Sequence, residues 1–190
     1  MFNKIIISLN SIINNYNVIK KNVGNTEVFP VLKADAYGTG AIEVARALIE
    51  NGCNNFFVYN LSEALELKTE FGKKINNIYV LSGIDKDEEE FFHTGKITPV
   101  ILSFKQLELY SNFAKSKNKV LDIGLHFNTG MNRSGFQLEF IDKIKDFTKN
   151  KENYLNVNLV ISHFACGDEP KHELTIKQID NFKNIILNSF

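Results

Sequence analysis

Lys33, Arg133 and His163 each stand near the end of an apolar segment or in the loop that follows it, and each side chain suits a different task in the chemistry of amines and carboxylates. Lys33 stands in VFPVLKADAYGTG, near the C-terminal end of a run that reads as a strand. A lysine there is costly unless it points outward or has a partner. One reading is a Schiff-base lysine, an amine kept partly neutral that condenses with an aldehyde cofactor whose conjugated ring serves as an electron sink. The other is a strand-end lysine reaching solvent along its apolar stem. Tyr37, followed by Gly38 and Gly40, adds a phenol and pliable backbone that can approach a phosphate, although such turns also mark many ordinary loops.

Arg133 lies in LHFNTGMNRSGF (125–136), a strand running into a loop with Gly130 and Gly135 on either side. A guanidinium placed there can grip a carboxylate through two parallel hydrogen bonds, which suits an amino-acid substrate. The alternative is a surface arginine in a turn. In VISHFACGDEP (160–170), His163 ends an apolar strand, with Cys166, Asp168 and Glu169 in the loop beyond. A zinc site would need ligands from His93, His126, His172 or Cys53, and no C-x-x-C or H-x-x-x-H pairing is present. A Cys166 nucleophile served by His163 lacks a recognisable local signature, and a satisfied strand-end histidine is the plain alternative. The acidic run DKDEEEFF (85–92) reads as the solvated start of a helix, where carboxylates suit the positive dipole end. No metal is expected from it, because nothing fixes a ligand geometry.

The elements that must position these residues alternate. Six candidate strands (28–34, 55–60, 77–83, 98–102, 119–127 and 155–164) are separated by segments with apolar residues at helical spacing, such as Ala41, Val44, Ala45, Leu48 and Ile49. Ser62 and Ser103 read as helix starts, and 11–22 as a further helix. Parallel strands need crossover connections that helices supply, so the expected class is α/β with a parallel sheet. Near-continuous apolar strands such as IYVL call for burial on both faces, as in a barrel or a doubly wound sheet. All three chemical segments then fall at C-terminal strand ends, where such folds place their sites.

Composition narrows the partners. The 22 Lys plus Arg balance 22 Asp plus Glu, so there is no electrostatic footprint for nucleic acid or an anionic membrane, and a small molecule is the expected partner. The start MFNKIIISLN lacks a signal-peptide cleavage site, and no stretch is long enough to span a bilayer. Two distant cysteines, Cys53 and Cys166, fit reduced thiols and a cytoplasmic location.

Taken together, V-L-K-A-D-A-Y-G-T-G resembles the cofactor-lysine signature of alanine racemases. N-T-G-M-N-R-S-G-F is similar to their arginine loop, S-H-F-A-C-G-D-E-P to a third family segment, and E-V-A-R-A-L to a helical one, in the family's own order across essentially all 190 residues. The resemblance implies a (β/α)8 barrel followed by a mostly β C-terminal domain. It also implies pyridoxal 5'-phosphate as cofactor and interconversion of L- and D-alanine, supplying D-alanine for bacterial cell walls. Carried over by position, Lys33 would form the Schiff base and act as the base on the D side, and Tyr37 would help hold the phosphate. Arg133 would contact the cofactor's phenolic oxygen and the substrate carboxylate, while His163 would pack near the pyridine ring. Two positions depart from the family. His126 stands where many members carry a lysine, often carbamylated, that buttresses the arginine; imidazole forms no stable carbamate. Thr39 replaces a histidine common in the lysine motif.

Six candidate strands are fewer than the eight of a closed barrel, which typically needs about 250 residues. The expectation is therefore an N-terminal fragment: residues 1–10 as a strand that pairs with the absent C-terminal domain, and 11–190 as an incomplete cofactor-binding barrel with exposed strand edges and marginal stability. Racemisation needs bases on opposite faces of a planar carbanion. In the family the second is a tyrosine from the neighbouring subunit's C-terminal domain, and no residue here corresponds to it. The fragment is thus expected to be impaired or inactive alone. It also lacks much of the region through which the homodimeric family assembles. The alternatives are a non-catalytic pyridoxal-phosphate-binding barrel and one half of a split enzyme completed by a separate C-terminal polypeptide.

Overall fold

The computed structural model describes residues 4–190. The chain forms two compact units, Met1–Leu81 with Thr94–Ile97, and Ser82–His93 with Thr98–Phe190. Six strands alternate with helices among the described residues, and every pairing given below is parallel, as the α/β reading requires.

In the first unit, α1 (Leu9–Val23) starts at Ser8, whose side chain accepts the Ser11 N–H. The strand expected over 1–10 falls partly on residues 1–3, which lie outside the described residues. Residues 4–8 belong to no strand here, and Ile5 and Ile6 are exposed. Further on, the bridge residue Val31 precedes α2 (Lys33–Gly38), α3 (Ala41–Glu50), β1 (Asn55–Val58), α4 (Leu61–Phe71) and β2 (Asn77–Val80). β1 and β2 pair in register from Asn55↔Asn77 to Val58↔Val80. Helix α3 turns Val44, Ala45 and Leu48 inward and α4 turns Ala64 and Leu67, so their apolar stripes pack with Phe56, Val58, Ile78 and Val80 into one core.

Two expectations change in this unit. The strand foreseen at 28–34 shrinks to a single bridge, Val31↔Phe57, because the backbone leaves extended geometry already at Leu32 (φ −106°, ψ 12°). Helix α4 starts at Asn60, whose Oδ1 accepts the Glu63 N–H, and Ser62 lies inside the helix. Both residues are of the capping type; the one standing where the chain leaves β1 takes the role.

The second unit holds α5 (Glu89–Gly95) in part, then β3 (Thr98–Ile101), α6 (Phe104–Lys117), β4 (Leu121–Asn128), β5 (Phe136–Gln137), α7 (Ile141–Lys149), β6 (Leu155–Ile161) and α8 (Glu173–Asn181). Ser103 caps α6 as expected, accepting the Gln106 N–H. β4 is the spine: β3 pairs along it, β6 pairs along it with a shift between Ile123 and Gly124, and the two-residue β5 joins its C-terminal end. Every residue of β4 except Asp122 is buried, and Val100, Ile101, Ile123, Leu125 and Phe127 form the core. β5 was not foreseen; two residues are too short for a period-two pattern to register.

Among the described residues, no helix is long and apolar enough to cross a membrane.

Candidate functional site

Lys33 follows a segment pinned on both sides of Phe57: the Phe57 N–H donates to Pro30 O (2.9 Å) and the Leu32 N–H donates to Phe57 O (2.8 Å). The chain then turns with the opposite hand to an ordinary helix. Ala34, Asp35, Ala36 and Tyr37 all have φ between 51 and 59° and ψ between 35 and 49°. None is glycine, and left-handed backbone costs an L-residue about 1 to 2 kcal/mol. The surroundings must therefore hold the turn in place.

They do so chiefly through carboxylates. Glu63 on α4 accepts the Ala34 N–H on Oε1 (2.8 Å) and the Tyr59 N–H on Oε2 (2.6 Å). Asp35 Oδ1 accepts the Ala41 N–H at the start of α3 (2.6 Å), and its carbonyl accepts the Gly40 N–H (3.0 Å). Thr39 turns its hydroxyl onto Ala36 O (2.6 Å). The result presents Lys33 half-buried, its Nζ 5.7 Å from the centroid of the exposed Tyr37 ring.

In the second unit, β4 ends in a loop built around Asn128. Its Oδ1 accepts the N–H groups of Gly130 (3.0 Å) and Asn132 (2.9 Å), and its Nδ2 donates to Asn132 Oδ1 (2.7 Å) and Gln137 Oε1 (3.0 Å). One buried amide thus shapes the turn that carries Arg133 to the surface. At Gly135 the backbone has φ +95°, and a Cβ there would lie 2.7 Å from His126 O. Only glycine lets the returning chain lie that close to β4.

His163 lies two residues beyond the end of β6, exposed in the following loop. His126, Asn128, Met131, Arg133, Ser162 and His163 line one shallow depression with no room for a water molecule, so the arginine and histidine loops meet. His126 itself is buried, and desolvation, helped by His163 and the Arg133 guanidinium, pushes its pKa down to about 4. It is therefore neutral near pH 7 and adds no positive charge beneath Arg133.

Lys33 and Tyr37 accordingly sit together in the first unit, and Arg133 and His163 sit together in the second. Inspection of the sequence for chemistry missed Glu63 and Asn128 as supports. The N-x-x-E of N-L-S-E (60–63) ahead of an apolar run and the N-T-G at a strand end were the available signals. Cys53 is buried, Cys166 is half-buried, and both are free thiols. Among the described residues, no group of three or more His, Cys, Asp or Glu is placed to hold a metal ion.

Residues 7–188 match the family model for the alanine racemase N-terminal domain. The alanine racemase of Rickettsia rickettsii is 34% identical over 180 residues, covering 93% of this chain and 49% of that protein. Among solved structures, the alanine racemase of Bartonella henselae with covalently bound pyridoxal phosphate superposes with a TM-score of 0.87 at 31% identity, over 95% of this chain and 52% of that one. The alanine racemase of Clostridium difficile 630 in complex with cycloserine gives 0.82 at 30% identity, over 92% and 48%. The chain spans about half the length of the curated relatives it matches.

Proposed function

Because the chain belongs to the alanine racemase N-terminal domain family, we propose that it is the pyridoxal-phosphate-binding portion of an enzyme that interconverts L- and D-alanine, with Lys33 as the residue that holds the cofactor. The observation that carries this reading is the left-handed turn at 34–37, locked by Glu63, which fixes a half-buried amine beside a phenol.

The donor set fits the group: an amine for an aldehyde, a phenol and pliable glycines for a phosphate, and a guanidinium for a carboxylate or phenolate. When bound, pyridoxal 5'-phosphate would supply the carbonyl that captures an amine and the ring that draws electron density from the neighbouring α-carbon. Lys33 Nζ would hold the cofactor and, once displaced by substrate, take or return the α-proton on the D side. Tyr37 would donate its hydroxyl to the phosphate. Arg133 would grip the substrate carboxylate and the cofactor's phenolic oxygen, and His163 would pack against the pyridine ring. Neutral His126 takes the place of the family's lysine beneath Arg133, leaving the guanidinium without a negative neighbour there, so more of its charge is directed at its ligands. Alanine is the proposed substrate, and the cytoplasm the proposed location.

Inversion needs a second base on the opposite face, which we place outside residues 1–190, in a C-terminal domain supplied by a neighbouring copy or by a separate polypeptide. The Ile5–Ile7 stretch would pair with that domain.

The test is borohydride reduction after incubation with pyridoxal phosphate, followed by peptide mass mapping. A covalent adduct on Lys33, absent from Lys33→Ala, is expected; labelling that ignores position 33 would refute the assignment. The 190-residue chain alone is expected to show no alanine racemisation above background, and robust turnover would place the second base within it.

A further inference from the structure

Beneath the His163 loop, helix α8 carries Gln178, a side chain only 1% exposed. Its amide is fully used. Nε2 donates to Thr129 Oγ1 (3.0 Å) and to the carbonyl of His163 (2.8 Å), while Oε1 accepts the Ala165 N–H (3.0 Å). Thr129 Oγ1 and Ser162 Oγ lie 2.7 Å apart and share a hydrogen, which ties the end of β4 to the end of β6 directly. Two more bonds follow the same pattern: Asn181 Nδ2 donates to Thr129 O (3.0 Å), and Thr175 Oγ1 donates to Cys166 O (2.7 Å). About two turns of one helix therefore satisfy backbone groups of two loops, one leading to Arg133 and the other carrying His163. The fit is close on the other side too. Gly130 has φ +147°, and a Cβ there would lie 3.1 Å from Leu174 and 3.4 Å from Gln178 Cγ on α8.

We propose that Gln178 is a positioning residue of the cofactor site: its buried amide sets the loop that leads to Arg133 and the loop of His163 in one fixed arrangement, so that guanidinium and imidazole are presented as a pair. The inference rests on the functional reading above only for what the pair is presented to; the clamp itself is a property of the protein without ligand. No other side chain of the same size would replace it. Two N–H donors and one acceptor are needed in one plane. Leucine offers none, and a glutamate keeps the acceptor but turns a second oxygen toward the His163 carbonyl and the Thr129 hydroxyl. A buried polar group left without its partner is costly, so either change is relieved by loosening of the loops.

The decisive experiment compares the 190-residue wild type with Gln178→Leu and Gln178→Glu. Folding is checked by circular dichroism, and amide hydrogen exchange is read peptide by peptide without cofactor. Exchange about tenfold faster in both 129–135 and 162–168, with β1, β2 and α3 unchanged, is the expected result. Pyridoxal-phosphate titration should show affinity about tenfold weaker in the same variants, with borohydride trapping on Lys33 intact at saturation. If Gln178→Leu fails to fold, Gln178→Glu supplies the same comparison. Unchanged exchange in either loop of a folded variant, or unchanged cofactor affinity, overturns the proposal. A wild type that forms no Lys33 adduct refutes the functional reading instead, and the exchange arm still decides the clamp.

Discussion

Glu63 Oε1 lies 2.8 Å from the backbone nitrogen of Ala34, so a carboxylate on one helix holds the first peptide beyond Lys33. The same carboxylate receives Tyr59 on its other oxygen. A single side chain thus fixes where β1 ends and where the lysine turn begins.

Removing that carboxylate should release the lysine before it harms the core. Hydrogen bonds to charged groups contribute about 1.5 to 3 kcal/mol each, so Glu63→Ala should weaken pyridoxal-phosphate binding by roughly tenfold to a hundredfold. Glu63→Gln, which keeps one acceptor, should fall between that variant and the wild type. Fluorescence titration of cofactor reads the order, and equal affinities across the series would remove the role assigned to Glu63.

Gly135→Ala places a methyl 2.7 Å from a β4 carbonyl at a φ that L-residues rarely adopt. Destabilisation of more than about 1 kcal/mol is expected, since the added group cannot be accommodated without moving backbone. Urea midpoints give the value, and a neutral substitution would mean that the arginine loop does not lie against His126.

Acid should weaken the second unit through His126. Its pKa is near 4 when folded and 6.5 in an unfolded chain, so above pH 6.5 both states are neutral. As pH falls below 6.5, the unfolded chain binds a proton that the folded chain refuses until about pH 4, and stability is lost across that window. Between pH 7.5 and 5 the loss from this group is about 2 kcal/mol. Comparing urea unfolding of the wild type with His126→Asn isolates it; parallel pH profiles for the two proteins would contradict a neutral buried imidazole.

The start of α4 can be tested against the sequence reading. Asn60→Ala should cost about 1 kcal/mol by removing the acceptor for the Glu63 N–H, whereas Ser62→Ala, on the exposed side of the helix, should be near neutral. The reverse ranking in thermal melts would restore the serine as the cap.

These positions show what could be read ahead of the structure. The alternation of strands and helices, the Ser103 cap and the apolar face of α3 follow from periodicity and local chemistry, and the structure has them. The lysine segment reads as strand in the sequence because its left-handed turn contains no glycine at 34–37 to signal it. What holds A-D-A-Y in that shape is Glu63, 29 residues from Ala34, and no local pattern carries such a bond. Likewise Asn128 and Gln178 look like ordinary polar residues in sequence. Their importance comes from being buried, where every donor and acceptor must be matched.

Four consecutive residues of the wrong hand also make the lysine segment a loaded spring. Opening it relieves the backbone cost of the left-handed turn, so this stretch should be among the first to open locally. By linkage, a cofactor that engages only the closed form shifts the population toward it, and any change that relaxes the turn raises the concentration of cofactor required to keep it shut.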